Sequence, residues 1–500
     1  MNAQQSETAG STQPDHLYKG RRASLPLNIV VIGCGLGGLA AAYCLAQAGH
    51  NITILEAASA IGDIGAGIQS SPNVSRLLMR WGLGPQLQEI GVKIQALSLK
   101  RWSNDEVVGW TPLGNLIDKE YGFPFYLLHR ADFHRVLYEA AEPHCNIRVN
   151  SRVVSVDPSK PSVTLASGEI VYADLLIGAD GVKSVTREHV VGGPDKPRAT
   201  GDAAYRALIP AEKLLQDDDL RPLVEKMESN IWMGPGGHIV GYTIRAKKEF
   251  NLVMMHPDDT EGGIESWTAE GNVDKMIETY KGWNTTLVTL SYTRLMLLLN
   301  GGAARSVQKL LALVPSTLNW RLMDRDPLPS WIHKDGKLAL LGDSCHPMLP
   351  YRAQGSAMAI EDAAVLGNLF SHCSDRSQIA PLLYAYQSIR YHRATATQRS
   401  SSLNRFIFHK PDGPEQEERD REMRAAKEDA LRVARGEKST YTLTGNSNQW
   451  ADKTKSDIQF GYDADEEVEK WWLVNGKRLM ALAPSIELKP RVMSSANRDH

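Results

Sequence analysis

The chain has 500 residues, 42% hydrophobic and 23% charged, with a net charge of −2. That is enough chain for a large core in two or three lobes, and a near-neutral balance with no long basic run excludes a nucleic-acid-binding surface. The five cysteines (Cys34, Cys44, Cys145, Cys345, Cys373) show no Cys-x-x-Cys spacing, which predicts free thiols in a reducing compartment, no disulfide framework and no metal site.

Taken in chain order, the first 24 residues are polar, lack an apolar signal core and read as a disordered tail, which predicts a cytoplasmic protein. From Leu27 the sequence runs LNIVVIGCGLGGLAAAYCLAQAGHNITILE to Glu56. This predicts a strand over 28–32, a glycine turn, a small-residue helix from about Leu36 to Ala48, and a second strand over 52–55. Its interior glycines mark a buried nucleotide fold, not a membrane span. Gly33 permits the tight turn, Gly35 lets backbone approach a pyrophosphate, and Gly38 lets helix and strand pack closely. The pyrophosphate would sit on the helix N-terminus, where unpaired N–H groups and the dipole favour an anion. Glu56, closing the second strand, can accept hydrogen bonds from a ribose diol. The segment predicts dinucleotide binding.

Further along, Gly65, Gly67 and the Ser71-Pro72 turn suit a loop lying against a flat ligand. Residues 95–113 and 230–257 carry strand-like stretches rich in Trp, Tyr, Val and Ile, and Arg130 opens a helix. A long helix is expected from Leu382 to His409. The charged segment PEQEERDREMRAAKEDALRVARG carries a thin apolar stripe of Met423, Ala426, Ala430 and Ala434, predicting a helix with one narrow packed face and the rest solvated. The fold class expected is α/β: a Rossmann-like lobe interleaved with a mostly antiparallel sheet, plus a helical C-terminal region.

Two later motifs join the first. DLLIGADGVKSVTR places Asp180-Gly181 after a buried strand, and LALLGDSCHPMLPYRAQGSAMAIEDA places Gly342-Asp343 after another. With Gly33, Gly35, Gly38 and Glu56, these resemble the group A, single-component, flavin-dependent monooxygenases over roughly residues 27–395. YRAQGSAMAIEDA and the later FHKPDGPEQEERD resemble the salicylate-hydroxylase-like branch common in fungi, which suggests a place in secondary metabolism. The resemblance implies that Glu56 holds the adenosine ribose of FAD and Arg130 pairs with its pyrophosphate. It implies that Asp180 and Gly181 contact FAD, Asp343 binds the ribityl chain, and Gly67 lies close to the cofactor. Gly355, Ser356 and Ala357, opening a helix, would point N–H groups at the flavin pyrimidine edge. It divides the chain into an FAD-binding lobe (25–94, 125–200, 336–395), a substrate-binding sheet (95–124, 201–335) and a helical extension (396–500). The protein would be a monomer or homodimer.

No second Gly-x-Gly-x-x-Gly follows a strand, so NADPH (or NADH) would bind transiently, as in the family. The expected reaction consumes NAD(P)H and O2 and hydroxylates a small phenolic or otherwise electron-rich aromatic substrate through a flavin C4a-hydroperoxide. A flavin oxidase or dehydrogenase that inserts no oxygen is the alternative. In NIWMGPGGHIVGYTI, His238, Val240 and Tyr242 share one face of a strand by period two. His238 and Tyr242 resemble the pocket pair of hydroxybenzoate-type hydroxylases, with His238 as base; a core histidine bonded for structure is the other reading. Arg206, on a strand entering the same sheet, could hold a carboxylate or phenolate bidentately or be a salt-bridge partner. Cys345 reads as a packed small residue.

Overall fold

A computed structural model describes residues 17–62, 65–258, 270–283, 306–439 and 444–481. Five parallel strands form the first sheet, in the order Leu338–Leu340, Leu175–Gly178, Asn28–Ile32, Asn51–Leu55, Asn146–Arg148. Their side chains alternate between two cores. Ile29, Val31, Ile52, Ile54, Leu175 and Ile177 face the helices Leu36–Gln47 and Gly355–Phe370. Val30, Ile32, Leu55 and Leu176 face a three-stranded antiparallel sheet carrying Val156, Val163 and Leu165. Burial on both faces is why the strands Asn28–Ile32, Leu175–Gly178 and Leu338–Leu340 are almost continuously apolar and do not alternate with polar residues. The two helices approach closely because both are rich in small residues: a Cβ on Gly367 would lie 2.6 Å from the Cys44 Cβ.

The second sheet has eight strands: Glu270–Gly271, Thr317–Asp324, Arg198–Pro210, Glu249–Pro257, Gly237–Ile244, Glu228–Gly234, Ala96–Arg101, Val107–Pro112. All neighbours are antiparallel except Glu228–Gly234 with Ala96–Arg101. Tyr205, Ala207, Ile239, Leu252 and Met254 turn one face into a core with Leu310 and Leu311. By period two, Arg206, Val240, Val253 and Met255 occupy the other face. There Ala204, Val253, Met255 and Trp320 pack against Leu349 and Tyr351 of the first lobe.

Four expectations need correction. The tail, expected over residues 1–24, is already seated from Leu17: Tyr18 is buried with its hydroxyl donating to Cys44 O, and Arg21 reaches Ser371, Asn368 and Glu469. Residues 1–16 of that tail lie outside the described residues. The stretch read as a ligand-facing loop around Ser71-Pro72 is the strand Gly67–Ser70 followed by the helix Pro72–Arg80, because proline suits the first helical position as well as a turn. The boundary at 395/396 cuts a single 30-residue helix, Ile379–Phe408. In the charged helix Pro414–Ala434, Gln416, Arg419, Asp420 and Asp429 are buried with Met423 and Ala426, while Ala434 is exposed. Arg419 and Asp420 form an ion pair there at 2.7 Å. This helix lies along the strand Val107–Pro112, with Lys427 Nζ donating to Val107 O at 2.7 Å and Arg424 paired to Glu106. It thereby shields a sheet edge that would otherwise offer unpaired backbone groups. Among the described residues no helix is long and apolar enough to cross a membrane.

Candidate active site

The glycine turn after Ile32 meets three different constraints. Gly33 sits at φ +105°, and a Cβ there would lie 2.4 Å from Ala179 O. A Cβ on Gly38 would lie 2.0 Å from Gly33 O. Gly35, the N-cap of the helix Leu36–Gln47, has nothing within 4 Å of its Cβ position, so the helix N-terminus is open to an approaching group. Over this turn, the Glu56 carboxylate accepts the N–H groups of Cys34 and Ala58, both at 2.8 Å. A carboxylate has about four lone-pair sites, so about two remain for a diol.

The Asp180 side chain builds local structure. Its carboxylate accepts from Ser184 Oγ (2.6 Å), Thr186 Oγ1 (2.6 Å), Val185 N (2.8 Å) and Thr186 N (3.0 Å), fixing the start of the helix Val185–Val191. The backbone of this turn lies against the glycine turn, with Asp180 Cα 3.2 Å from the Cβ position of Gly33, and Gly181 sits at φ +74°. Gly67 makes room for the second sheet. Its N–H donates to Asn251 Oδ1 at 2.7 Å, and a Cβ there would lie 2.5 Å from the Tyr242 hydroxyl. The close approach it permits is to the second sheet.

Asp343 follows the strand Leu338–Leu340. Burial raises its carboxyl above the usual value, against the pull of His346, Arg130 and Arg187. Its backbone oxygen accepts from Arg187 Nη2 at 2.5 Å, but its carboxylate takes no hydrogen bond from the described residues. Such an acceptor calls for hydroxyl donors. Close by, Gly355, Ser356 and Ala357 open the helix Gly355–Phe370, and the first N–H groups of a helix have no intrahelical partner. Gln354, which caps it, is held by Ser71 Oγ at 2.9 Å and by Asn73. Arg130 opens the helix Arg130–Ala141 within electrostatic reach of Asp343.

An open helix N-terminus, an acceptor suited to a ribose, a half-buried carboxylate with no donor among the described residues and a second helix N-terminus fit FAD. Asp343→Ala is therefore expected to weaken FAD binding by ~1.5–3 kcal/mol, roughly tenfold or more in affinity. Flavin fluorescence during titration of the apoprotein measures this, and an unchanged affinity would remove Asp343 from the site.

On the facing sheet, strand register sets three rows: His238 with Met255 and Ala204, Val240 with Val253 and Arg206, Tyr242 with Asn251 and Leu208. His238 and Tyr242 share the face but are four residues apart, ~13 Å along the strand, so they flank the middle row and do not touch. The Arg206 guanidinium lies 4.1 Å from the Trp320 ring centroid. Burial lowers its pKa to about 10, with Tyr242 opposing and Arg130 reinforcing the shift, so it remains charged at neutral pH. Burial raises the Tyr242 phenol above its usual value, keeping it a proton donor. His238 is 1% exposed, and its Nδ1 lies 2.8 Å from His409 Nε2. Burial, followed by His409, pushes the His238 imidazole well below its ordinary value. Tyr351 donates to Asp202 Oδ2 at 2.6 Å, and Arg405 pairs with the same carboxylate, which ties the Pro350–Arg352 turn to the sheet.

Sequence reasoning missed Asn251 and His409. Asn251 is fully buried, and among the described residues its Nδ2, beside Gly67 and Tyr242, has no hydrogen-bond partner. The sequence signal was available: one amide among the apolar residues of NLVMMHP, in phase with Val253 and Met255. His409 had no such signal, since it meets His238 only when the long helix ends there. Cys345, His346 and Asp362 place ligand atoms within 4.8 Å of one another. Asp362 is already bonded to His346 Nε2 at 2.6 Å and Arg390 Nε at 2.8 Å, so the cluster reads as an ion-pair network.

Fold and site fit an FAD-binding enzyme. Residues 27–204 and 331–401 match the model of an FAD binding domain family. The FAD-dependent monooxygenase OpS4 of Beauveria bassiana (strain ARSEF 2860) is 34% identical over 88% of this chain and 96% of its own. The 3-hydroxybenzoate 6-hydroxylase 1 of Aquipseudomonas alcaligenes is 34% identical over 77% of this chain and 91% of its own. A salicylate hydroxylase–substrate complex shares the fold, with a TM-score of 0.65 at 22% identity, covering 89% of this chain and 98% of that one. The chain belongs to the single-component FAD-dependent monooxygenases, and FAD is its cofactor.

Proposed function

We propose that the enzyme uses NAD(P)H and O2 to hydroxylate a small aromatic acid or comparable phenol. The observation that carries this reading is the row order on the sheet face, with cationic Arg206 in the middle row between Tyr242 and His238. FAD, when bound, supplies the two-electron chemistry and the activated oxygen. The protein's own residues manage the substrate's charge. Arg206, stacked on Trp320, presents a planar fork that matches a carboxylate or phenolate. Tyr242 and Asn251 Nδ2 are neutral donors that orient oxygen atoms at one end of the ring. His238 is held neutral, and its Nε2 is the ring's remaining basic atom, suited to taking the hydroxyl proton so that the ring becomes electron-rich. Leu349 and Tyr351 pack onto the same face and limit water access.

The test is a screen of phenolic acids and polyketide-type aldehydes for stimulation of NADPH or NADH oxidation, followed by 18O2 labelling of the product. A carboxylated phenol should raise cosubstrate oxidation above a slow basal rate and acquire one labelled oxygen. A product formed without label would make the enzyme an oxidase or dehydrogenase.

A further inference from the structure

We propose that His409 is the outlet of a two-histidine relay that carries the proton accepted by His238 from the pocket to water. The source of the proton rests on the proposed hydroxylation of a phenol; the wiring rests on geometry. His238 Nδ1 and His409 Nε2 are 2.8 Å apart, with ring centroids at 5.1 Å and planes inclined by 44°. His238 Nε2 and His409 Nδ1 have no hydrogen-bond partner among the described residues. His238 is enclosed, whereas His409 is half-buried at the C-cap of the helix Ile379–Phe408. Gly236 N donates to His409 O at 3.1 Å from the turn that leads into the His238 strand, so one contact sets both rings in register. Phe408 and Tyr351 pack on His238 with centroids at 5.2 and 5.4 Å, which screens it from solvent on those sides.

The surrounding charges suit neutral rings. His238 has His409 as its titratable neighbour, and Tyr351, kept protonated by burial and Asp202, lies against both rings. His409 is brought down to about 4, chiefly by burial, between Asp202 and Arg405, which pull in opposite directions. A neutral imidazole is a donor at one nitrogen and an acceptor at the other, so two in series conduct a proton without either becoming an imidazolium at rest. The phenol O–H bond breaks as its proton binds His238 Nε2. The His238 Nδ1–H bond breaks as its proton binds His409 Nε2. The His409 Nδ1 proton passes to water. One proton has left, the substrate is a phenolate, and both rings are neutral in the opposite tautomer; the reverse passage, when product is reprotonated, resets them.

The experiment uses the FAD-loaded protein labelled with 15N-histidine and measures exchange of the His238 ring proton with water by NMR, assigned by its loss in His238→Asn. His409→Gln keeps a side chain that can hydrogen bond but cannot pass a proton on. Exchange is expected to slow by roughly 10²-fold, the low end of what a positioned proton-transfer group contributes, with FAD retained. Equal exchange in the native protein and His409→Gln overturns the relay. Should glutamine disturb folding, His409→Asn is read the same way, and added imidazole, entering the space left, should restore fast exchange; a merely structural histidine shows no such rescue. In turnover with the phenol selected above, His409→Gln should slow hydroxylation but not flavin reduction. If no phenol is hydroxylated while exchange slows as expected, the functional reading fails and the relay stands.

Discussion

Replacing His238 with alanine is expected to slow hydroxylation by roughly 10²–10⁴-fold, the contribution typical of a positioned base, while reduction of the bound cofactor by NAD(P)H proceeds near its native rate. The reason is where the proton matters. Deprotonating the hydroxyl enriches the ring that must receive oxygen, whereas hydride transfer from the nicotinamide does not use that proton. Cosubstrate consumed without hydroxylation ends as hydrogen peroxide, so the ratio of product formed to NAD(P)H oxidised should fall as well. Tyr242→Phe should lower the same ratio less, because it removes one hydrogen-bond donor and leaves the base in place. The enclosed imidazole is neutral well below its ordinary pKa, so the hydroxylation rate should not drop on acidification from pH 8 to 6 through His238 itself. An unchanged rate and ratio in His238→Ala would make His238 a structural residue and leave Arg206 to stabilise the phenolate directly.

The second large effect concerns stability. Glu361 and Asp362, on the helix Gly355–Phe370, are fully buried with Arg390, which contacts them at 2.6 and 2.8 Å. Arg393 and Asn73 complete the shell of Glu361, each at 2.7 Å. Glu361→Gln leaves Arg390 and Arg393 short of an anion in a low-dielectric site, and breaking a buried pair in this way costs about 3–5 kcal/mol. Urea unfolding of the FAD-loaded variant measures it; a loss below about 1 kcal/mol would mean that the site behaves like solvated surface. Burial alone would raise the Glu361 and Asp362 carboxyls, but Arg393, Arg390 and His346 outweigh it and hold both below their usual values. Groups depressed in the folded state stabilise it above their unfolded pKa and lose that contribution as pH falls through the folded pKa. Acid unfolding should therefore set in below the ordinary carboxylate range, and Glu361→Gln should weaken its dependence on pH.

The nucleotide lobe was legible because its determinants are local. Gly33, Gly35 and Gly38 obey backbone constraints set within a few residues, and apolar runs such as NIVVI mark strands buried on both faces. The Gly342-Asp343 turn was readable for the same reason, since it follows directly on the strand Leu338–Leu340, and the helix from Gly355 was readable from its run of small and apolar residues. Position along a strand also told correctly which of His238, Val240 and Tyr242 share a face.

Beyond that range, sequence pattern loses its hold. Period two reports a face and not a distance, so it could not say that His238 and Tyr242 stand a full row apart on either side of Val240. The roles of Asp180 and Gly67 depended on neighbours: the Asp180 carboxylate turned to the helix behind it, and Gly67 made room for Tyr242 and Asn251 on another sheet. Buried charges on the helix Pro414–Ala434 looked solvated because an isolated helix does not reveal the strand it will cover. The sequence by itself determined the strand–turn–helix geometry that receives a dinucleotide, since short-range sterics and hydrogen bonding dictate it. Only the tertiary structure decided that His238 meets His409, that Tyr351 is tied to Asp202, and that Arg206 stacks on Trp320. Those contacts join segments far apart in the chain, and they exist only once two sheets and the long helix have packed together.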